Sequence, residues 1–277
     1  MMIPKLPGLY ENIPFKDYKA IDAINNSRLT RLNKCPAAAL VAQEETPSLL
    51  LGRAVHTLVL EGAEVFQKEF AIAPPCDKRI NAGKDRWASF QADNLDKQIL
   101  TMDDGERVEA IRNAVFTHPF AKEILSEGRS ELTIVWDDEE TDLKCKGRID
   151  WIPSGNKRVI AELKTTRDAS TKGFTRSCLN EEYGGYGYAK QAGMYIDGSM
   201  KATGEVFDSF IFITVETEPP YRTEVHVMDM RFIEWGYLEY RRLLYLEAKC
   251  RKEGYYPHYQ EASALDLVMP GYLTRKS

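Results

Sequence analysis

The sequence is short of the features that mark secreted, membrane or redox proteins. Its five cysteines (Cys35, Cys76, Cys145, Cys178, Cys250) are odd in number and scattered, with no CxxC pair. That argues against a disulfide framework, and against the close cysteine pairs of zinc and iron–sulfur sites. The four histidines (His56, His118, His226, His258) form no HxxxH or HxH pattern. A metal site of histidines alone is therefore not expected, though one histidine joining carboxylates stays open. No apolar run reaches the roughly 18–20 residues of a membrane span, so no membrane association is expected. Prolines break the start, Met1-Met2-Ile3-Pro4-Lys5-Leu6-Pro7, where an export signal needs its apolar stretch. No Walker-type glycine loop is visible, so ATP is not expected. No repeat or Gly/Ser/Pro-rich linker divides the chain. A single domain over 1–277 is expected, with residues 1–45 as an N-terminal segment packed on it.

Basic charge is also in short supply. Lys and Arg number 37 against 42 Asp and Glu, a net charge of −5. That balance speaks against a polyanion partner. Net charge does not say where the charges sit, so the point stays open.

What is present suits a globular chain: 43% hydrophobic and 29% charged over 277 residues, enough for one large core. The pattern predicts a loop over Pro4–Pro14 and a helical stretch around Asn26–Leu40, with Ser27 as its cap and Pro36 ending or restarting it. Ser48–Leu60 (SLLLGRAVHTLVL) predicts a buried helix, Pro74–Asp85 a loop, and Arg86–Leu100 and Gly105–Ser126 two further helices. Glu131–Trp136, Leu143–Ile152 and Arg158–Thr166 are β-rich runs split by DDEET and PSGNK, an antiparallel meander. A helix over Tyr186–Asp197, strands at Phe207–Thr214 and Tyr221–Met228, and a long amphipathic helix at Met230–Gly254 follow. The expected class is α/β or α+β, a sheet flanked by helices.

The informative stretch joins Gly147-Arg148-Ile149-Asp150 to Ala161-Glu162-Leu163-Lys164. In a strand, Glu162 and Lys164 share one face while Val159, Ala161 and Leu163 share the other. Charged groups inside an apolar strand are costly unless paired. If the two runs form a hairpin, opposed residues have a constant number sum. A sum of 312 sets Asp150 opposite Glu162, and 310 makes them diagonal neighbours; an odd sum separates them, so an odd-length loop is predicted. Lys146 and Arg148 then share the face of Asp150. Adjacent carboxylates call for a cation, and hard oxygen ligands suit Mg²⁺ or Mn²⁺. A neighbouring lysine can orient or deprotonate water, which points to metal-assisted phosphodiester hydrolysis. A solvated surface hairpin is the other reading of the same residues. Gly52 and His56 lie four apart on one helix face, with Gly52 allowing close approach and His56 either a ligand or a satisfied core histidine. Tyr188, Gln191 and Tyr195 form a polar stripe on a later helix, facing a ligand or an interface.

In order, Gly52–His56, Asp150, Glu162–Lys164 and Gln191–Tyr195 resemble the GxxxH, D, (D/E)xK and QxxxY motifs of the RecB-type branch of the PD-(D/E)XK nucleases. The likeness extends to RecE, or exonuclease VIII, nuclease domains and their phage relatives. It is carried by PGLYENIPFKDYKAIDAINNSRLTRLNKCPAAAL, KRINAGKDRWASF and IRNAVFTHPFAKEIL, and covers about Pro7 to Pro270. The resemblance implies a restriction-endonuclease-like core, a central mixed sheet with an antiparallel meander flanked by helices. It implies Mg²⁺, with Mn²⁺ as a substitute, held by His56, Asp150, Glu162 and the Leu163 backbone carbonyl, with Glu131 as a weaker candidate and Glu61 weaker still. It implies that Lys164 positions or activates water, with Gln191 and Tyr195 in support. Arg53, Arg79, Lys84, Arg148 and Tyr188 become candidate DNA contacts. Some relatives carry an iron–sulfur cluster, but with only Cys250 near the C-terminus none is expected here. The implied activity is a free-standing exonuclease on linear double-stranded DNA ends, resecting 5′ to 3′ and leaving 3′ strands. The implied setting is a homo-oligomeric ring in the cytoplasm of a bacterial or phage-infected cell, with a RecT-type annealing protein as partner. An endonuclease for repair or restriction, or a catalytically silent DNA-binding protein, would share the same core.

Overall fold

The computed structural model describes residues 4, 6–42, 44–77, 79–155, 158–259 and 268–269. The Met1–Ile3 start and Asn156 and Lys157 of the PSGNK turn lie outside the described residues. The chain opens with β1 (Gly8–Tyr10), α1 (Phe15–Ala20) and α2 (Asn26–Lys34), then a 3₁₀ turn at Pro36–Leu40. Next, α3 (Pro47–His56) runs into a π turn at Thr57–Glu61, followed by α4 (Ala63–Glu69), β2 (Phe70–Ile72), α5 (Asn81–Asp93), β3 (Gln98–Leu100), α6 (Met102–Thr117) and α7 (Pro119–Ile124). The middle of the chain holds β4 (Gly128–Asp138), β5 (Leu143–Pro153) and β6 (Val159–Thr166). After them come α8 (Thr171–Cys178), α9 (Tyr188–Thr203), β7 (Ser209–Glu216), β8 (Thr223–Val227) and α10 (Met230–Glu253).

Six strands make one mixed sheet in the order β1-β4-β5-β6-β7-β8. The β4–β5–β6 meander is antiparallel, β7 joins β6 in parallel after the crossover through α9, and β8 closes the edge antiparallel. This is the α/β class that the sequence predicts. The central strands are buried on both faces. Ile160 of β6 packs with α2, α9 and α10, whereas Val159, Ala161 and Leu163 pack with α3 and α6. Ile13, Tyr18 and Ile21 of the N-terminal segment pack against Val135 of β4. α9 and α10 touch backbone to backbone: a Cβ on Gly236 would fall 1.9 Å from the Ala189 carbonyl oxygen, and one on Gly193 2.3 Å from the Tyr237 nitrogen.

Several local expectations shift. The cap of α2 is Asn25, not Ser27, because the Asn25 side chain accepts from the Arg28 N–H at 3.0 Å. Pro36 restarts the chain as a 3₁₀ turn, as a proline missing its N–H allows. The Pro4–Pro14 loop contains β1, which pairs with the β4 edge. The helix expected over Arg86–Leu100 starts earlier, at Asn81, and stops at Asp93. Gln98–Leu100 instead pairs in parallel with β2. The helix expected over Gly105–Ser126 breaks at Pro119, where His118 Nδ1 accepts from the Ala121 N–H at 3.2 Å and caps α7. α8 has no counterpart among the expected helices.

Candidate active site

The site is built on the β5–β6 hairpin. Trp151 sits opposite Ala161, a number sum of 312, across an odd connection at residues 154–158. Asp150 and Glu162 therefore face each other, and each bonds the other's strand. The Asp150 N–H donates to Glu162 Oε1 at 3.1 Å, and the Leu163 N–H donates to Asp150 Oδ2 at 2.9 Å. These side-chain bonds lock the register from both sides.

On β4, the pairs Ser130–Trp151 and Leu132–Ile149 flank Glu131, which lies across from Asp150. Glu131 has φ 53°, a left-handed conformation that costs a non-glycine residue of order 1 kcal/mol or more. Regular alternation fails here. Ile149 packs on the α9 side and Trp151, two residues on, packs on the α3 side. The face expected to run from Lys146 through Arg148 to Asp150 is thus interrupted. Lys146 Nζ turns away and donates to the Tyr18 and Ile21 carbonyls at 2.8 and 2.7 Å, closing the end of α1.

α3 delivers His56 as its last residue. Its Nδ1 lies 3.5 Å from Asp150 Oδ2 and 4.0 Å from Glu131 Oε1. Burial and the nearby Lys164 charge push the His56 pKa down, which favours the neutral imidazole a metal needs. One ligand atom each from His56, Glu131 and Asp150 lie within 4.8 Å of one another. Burial pushes Asp150 up to about 7, and burial with the Asp150 charge pushes Glu162 up to about 7. A pocket that resists negative charge so strongly favours an added cation. One neutral nitrogen and hard carboxylate oxygens fit Mg²⁺ or Mn²⁺.

Gly52 sits one turn before His56, over β6. A Cβ there would meet Thr165 Oγ1 at 3.5 Å, an ordinary contact, so the helix does not need glycine for its approach.

Lys164 donates to Glu162 Oε2 at 2.7 Å. Burial opposes its charge, but Glu162 and Asp150 outweigh burial and raise its pKa. These carboxylates favour the charged ammonium, which can donate and attract. Tyr188 covers it, with Nζ 5.4 Å from the ring centroid. From α9, Gln191 Nε2 donates to the same Glu162 oxygen at 2.8 Å. With both oxygens occupied and its side chain fully buried, Glu162 holds Lys164 and the hairpin together. Tyr195, one turn after Gln191, is 7% exposed and lies on Gly147, where a Cβ would be 2.9 Å from its ring. The α9 stripe thus backs the hairpin from behind.

Two arginines expected on DNA are engaged inside the protein. Arg148 ion-pairs with Glu131, donates to the Ile13 carbonyl at 2.7 Å, and lies against the Phe15 and Tyr18 rings. It holds Glu131 in place. Arg53 pairs with Glu45 at 2.9 Å and packs over Phe15 and Phe70. Arg79 and Lys84 are exposed around the start of α5, and Arg79 is bound to Asp77 at 2.9 and 3.0 Å.

The sequence reading did not single out Tyr18. It is buried beside Arg148, Glu131 and Glu162, with its pKa raised to about 12 mainly by burial. Nothing local marks it, because α1 reaches the site only through the fold. Glu61 ends the π turn near Glu131 and is pushed up to about 7 by burial and that neighbour's charge.

Residues 25–266 match a family described as "PDDEXK-like domain of unknown function (DUF3799)". The chain belongs to this family. It is thereby a member of the PD-(D/E)XK superfamily, nucleases that generally use divalent metals. Among solved structures it is similar to one from Eubacterium rectale described as a "Putative exonuclease". The two are 11% identical, with a TM-score of 0.61, over 97% of this chain and 99% of that one. At that identity the likeness is one of fold. The structure of SSO0001 is 15% identical over 79% of this chain and 86% of that one, but its TM-score of 0.28 carries no argument. No curated protein matches the chain. Among the described residues, no helix is long and apolar enough to cross a membrane.

Proposed function

We propose that the protein is a Mg²⁺-dependent exodeoxyribonuclease of the RecE, or exonuclease VIII, type, acting on the ends of linear double-stranded DNA. The observation that carries this reading is the meeting of His56, Glu131 and Asp150 beside the Glu162–Lys164 pair. His56, Asp150 and Glu131 would hold the ion, with Glu162 next to them. A divalent ion bound there supplies Lewis acidity toward the scissile phosphate and the attacking water.

The chain's own groups do the rest. His56 is held neutral, so it binds metal without competing for a proton. Lys164 stays charged, so it donates hydrogen bonds to the attacking water or a phosphate oxygen and steadies the charge that develops there. Glu162 aims Lys164, and Gln191 aims Glu162. Glu131 is aimed by Arg148.

The resemblance to RecE-type enzymes extends the proposal. The chain acts as a single nuclease domain, resects 5′ to 3′, and leaves 3′ strands for an annealing protein of the RecT type. It assembles as a ring of identical subunits in the cytoplasm of a bacterial or phage-infected cell. The deciding experiment incubates end-labelled linear duplex and covalently closed circles with Mg²⁺. Loss of linear DNA from the 5′ ends, with circles untouched, is expected. Nicked circles would indicate an endonuclease, and activity surviving in Lys164→Ala would remove this site from the chemistry.

A further inference from the structure

We propose that α8 and the turn at residues 183–187 form a ledge that binds an unpaired DNA strand next to Lys164. The proposal rests on the nuclease reading above and adds a substrate-positioning surface to it.

Two tyrosines stand out of this turn, Tyr183 at 60% and Tyr186 at 59% exposure. Their backbone is nevertheless pinned. The Tyr183, Tyr186 and Gly187 N–H groups donate to the Asn180, Ser177 and Leu179 carbonyls at 3.0, 2.9 and 2.7 Å. The glycines make this possible. Gly184 and Gly187 have φ +76° and +72°, and a Cβ on Gly185 would fall 2.1 Å from the Leu179 carbonyl oxygen. A fixed backbone with outward rings is a preorganised stacking surface, because little further ordering accompanies binding.

Its position ties it to the chemistry. The Tyr186 ring lies 5.8 Å from that of Tyr188, which covers Lys164. Tyr188 stacks in turn on Phe174 of α8 at 5.5 Å, so the ledge and the lysine are joined through packed rings.

Charge identifies the occupant. Lys172 and Arg176 are four apart on α8, so they share a face, and both are exposed. Arg176 makes no ion pair among the described residues, while Asp168 is the acid that feels Lys172. Glu182 is an exposed acid of the same turn. The turn lies against the end of α8, where a Cβ on Gly185 would fall 2.4 Å from the Arg176 carbonyl oxygen, so exposed rings and cations border one another. Such a surface matches a single strand, whose bases stack on aromatics while its phosphates meet the cations. A paired duplex keeps its base faces covered and cannot use the rings.

Two measurements test this in the full chain. The first is anisotropy of labelled oligo(dT) in Ca²⁺. Tyr183→Ala and Tyr186→Ala should each weaken binding about tenfold, as loss of one stacked base does, with Tyr186→Phe close to the parent. Arg176→Ala should lower the salt slope by about one. The second is hydrolysis in Mg²⁺. Tyr186→Ala should raise KM for overhang-bearing duplex with kcat little changed, and should not alter hydrolysis of the base-free diester bis(4-nitrophenyl) phosphate. Unchanged oligo(dT) binding in Tyr186→Ala would overturn the proposal. So would an equal loss on the base-free diester, which would mean that Tyr186 merely supports Lys164. A parent chain that cuts no DNA would defeat the nuclease reading, whereas oligo(dT) binding lost in Tyr186→Ala would still support the ledge.

Discussion

Lys164 is a cation held by a carboxylate that is itself held by a glutamine and a backbone N–H. Replacing it with alanine should cut turnover by about 10³-fold, as losing a preorganised charge at the reacting phosphate does, with the far-UV spectrum unchanged. Asp150 should behave differently. Burial above all, with the Glu131 charge, disfavours its charge against the pull of Lys164, and an amide removes these penalties while keeping an oxygen for the Leu163 N–H. Asp150→Asn is therefore expected to raise the melting temperature without metal by roughly 2–4 °C, equivalent to about 1 kcal/mol. It should abolish the further rise that Mn²⁺ gives the parent chain. A scan of both proteins with and without Mn²⁺ checks this, and an equal Mn²⁺ response would remove Asp150 from the metal site. At this scale, the sequence made Asp150, Glu162 and Lys164 legible because hairpin arithmetic is local. It understated Glu131, whose place depends on a left-handed residue in another strand. It did not show that Arg148 and Arg53 are engaged within the protein, because Glu131 and the Phe15 ring lie on other elements.

Between elements, two contacts carry testable weight. The α9–α10 crossing leaves no room for a methyl at Gly236. Gly236→Ala should destabilise by about 1–3 kcal/mol, the usual range for overpacking, measured by urea unfolding. Because α9 carries Gln191, activity should fall at temperatures where the variant is still folded. The second contact is Asp138 at the end of β4, 1% exposed, which accepts from Lys201 of α9 at 2.8 Å and from Arg241 of α10. Burial alone would raise its pKa, but these bonds and Thr141 hold it well below the ordinary carboxylate value. A carboxylate with a depressed folded pKa lends stability that is full above its unfolded pKa, about 4, and fades as pH falls below it. The urea midpoint should therefore drop steeply below about pH 4, and less steeply in Asp138→Asn. Periodicity made the long helices and the meander legible. It could not reveal β1, β2 or β3, three residues each, because such strands exist only through partners far along the chain. The α2 cap was misread because Ser27 and Asn25 are both good caps, and only backbone geometry chooses between them.

For the molecule as a whole, the charge of −5 is compatible with a DNA substrate because the cations nearest the metal site are already bound to acids. Each such pair leaves fewer cations near the site to displace counterions. Binding of linear duplex in Ca²⁺ should show a log–log salt slope of about −3, the value for three or four phosphates. A slope near −8 would mean a basic surface other than the one described. The order of the strands has a further consequence, for how the protein is made. β6 carries Glu162 and Lys164 but lies between β5, already synthesised, and β7, which begins at Ser209. Gln191 and the covering α10 also come later. When His56, Glu131, Asp150 and Glu162 have all been translated, β6 still lacks one neighbour and Glu162 lacks its glutamine brace. On the nuclease reading proposed above, the site would be complete only once most of the chain is free to fold, which would leave a phosphodiester-cleaving centre unfinished beside the nucleic acid that encodes it.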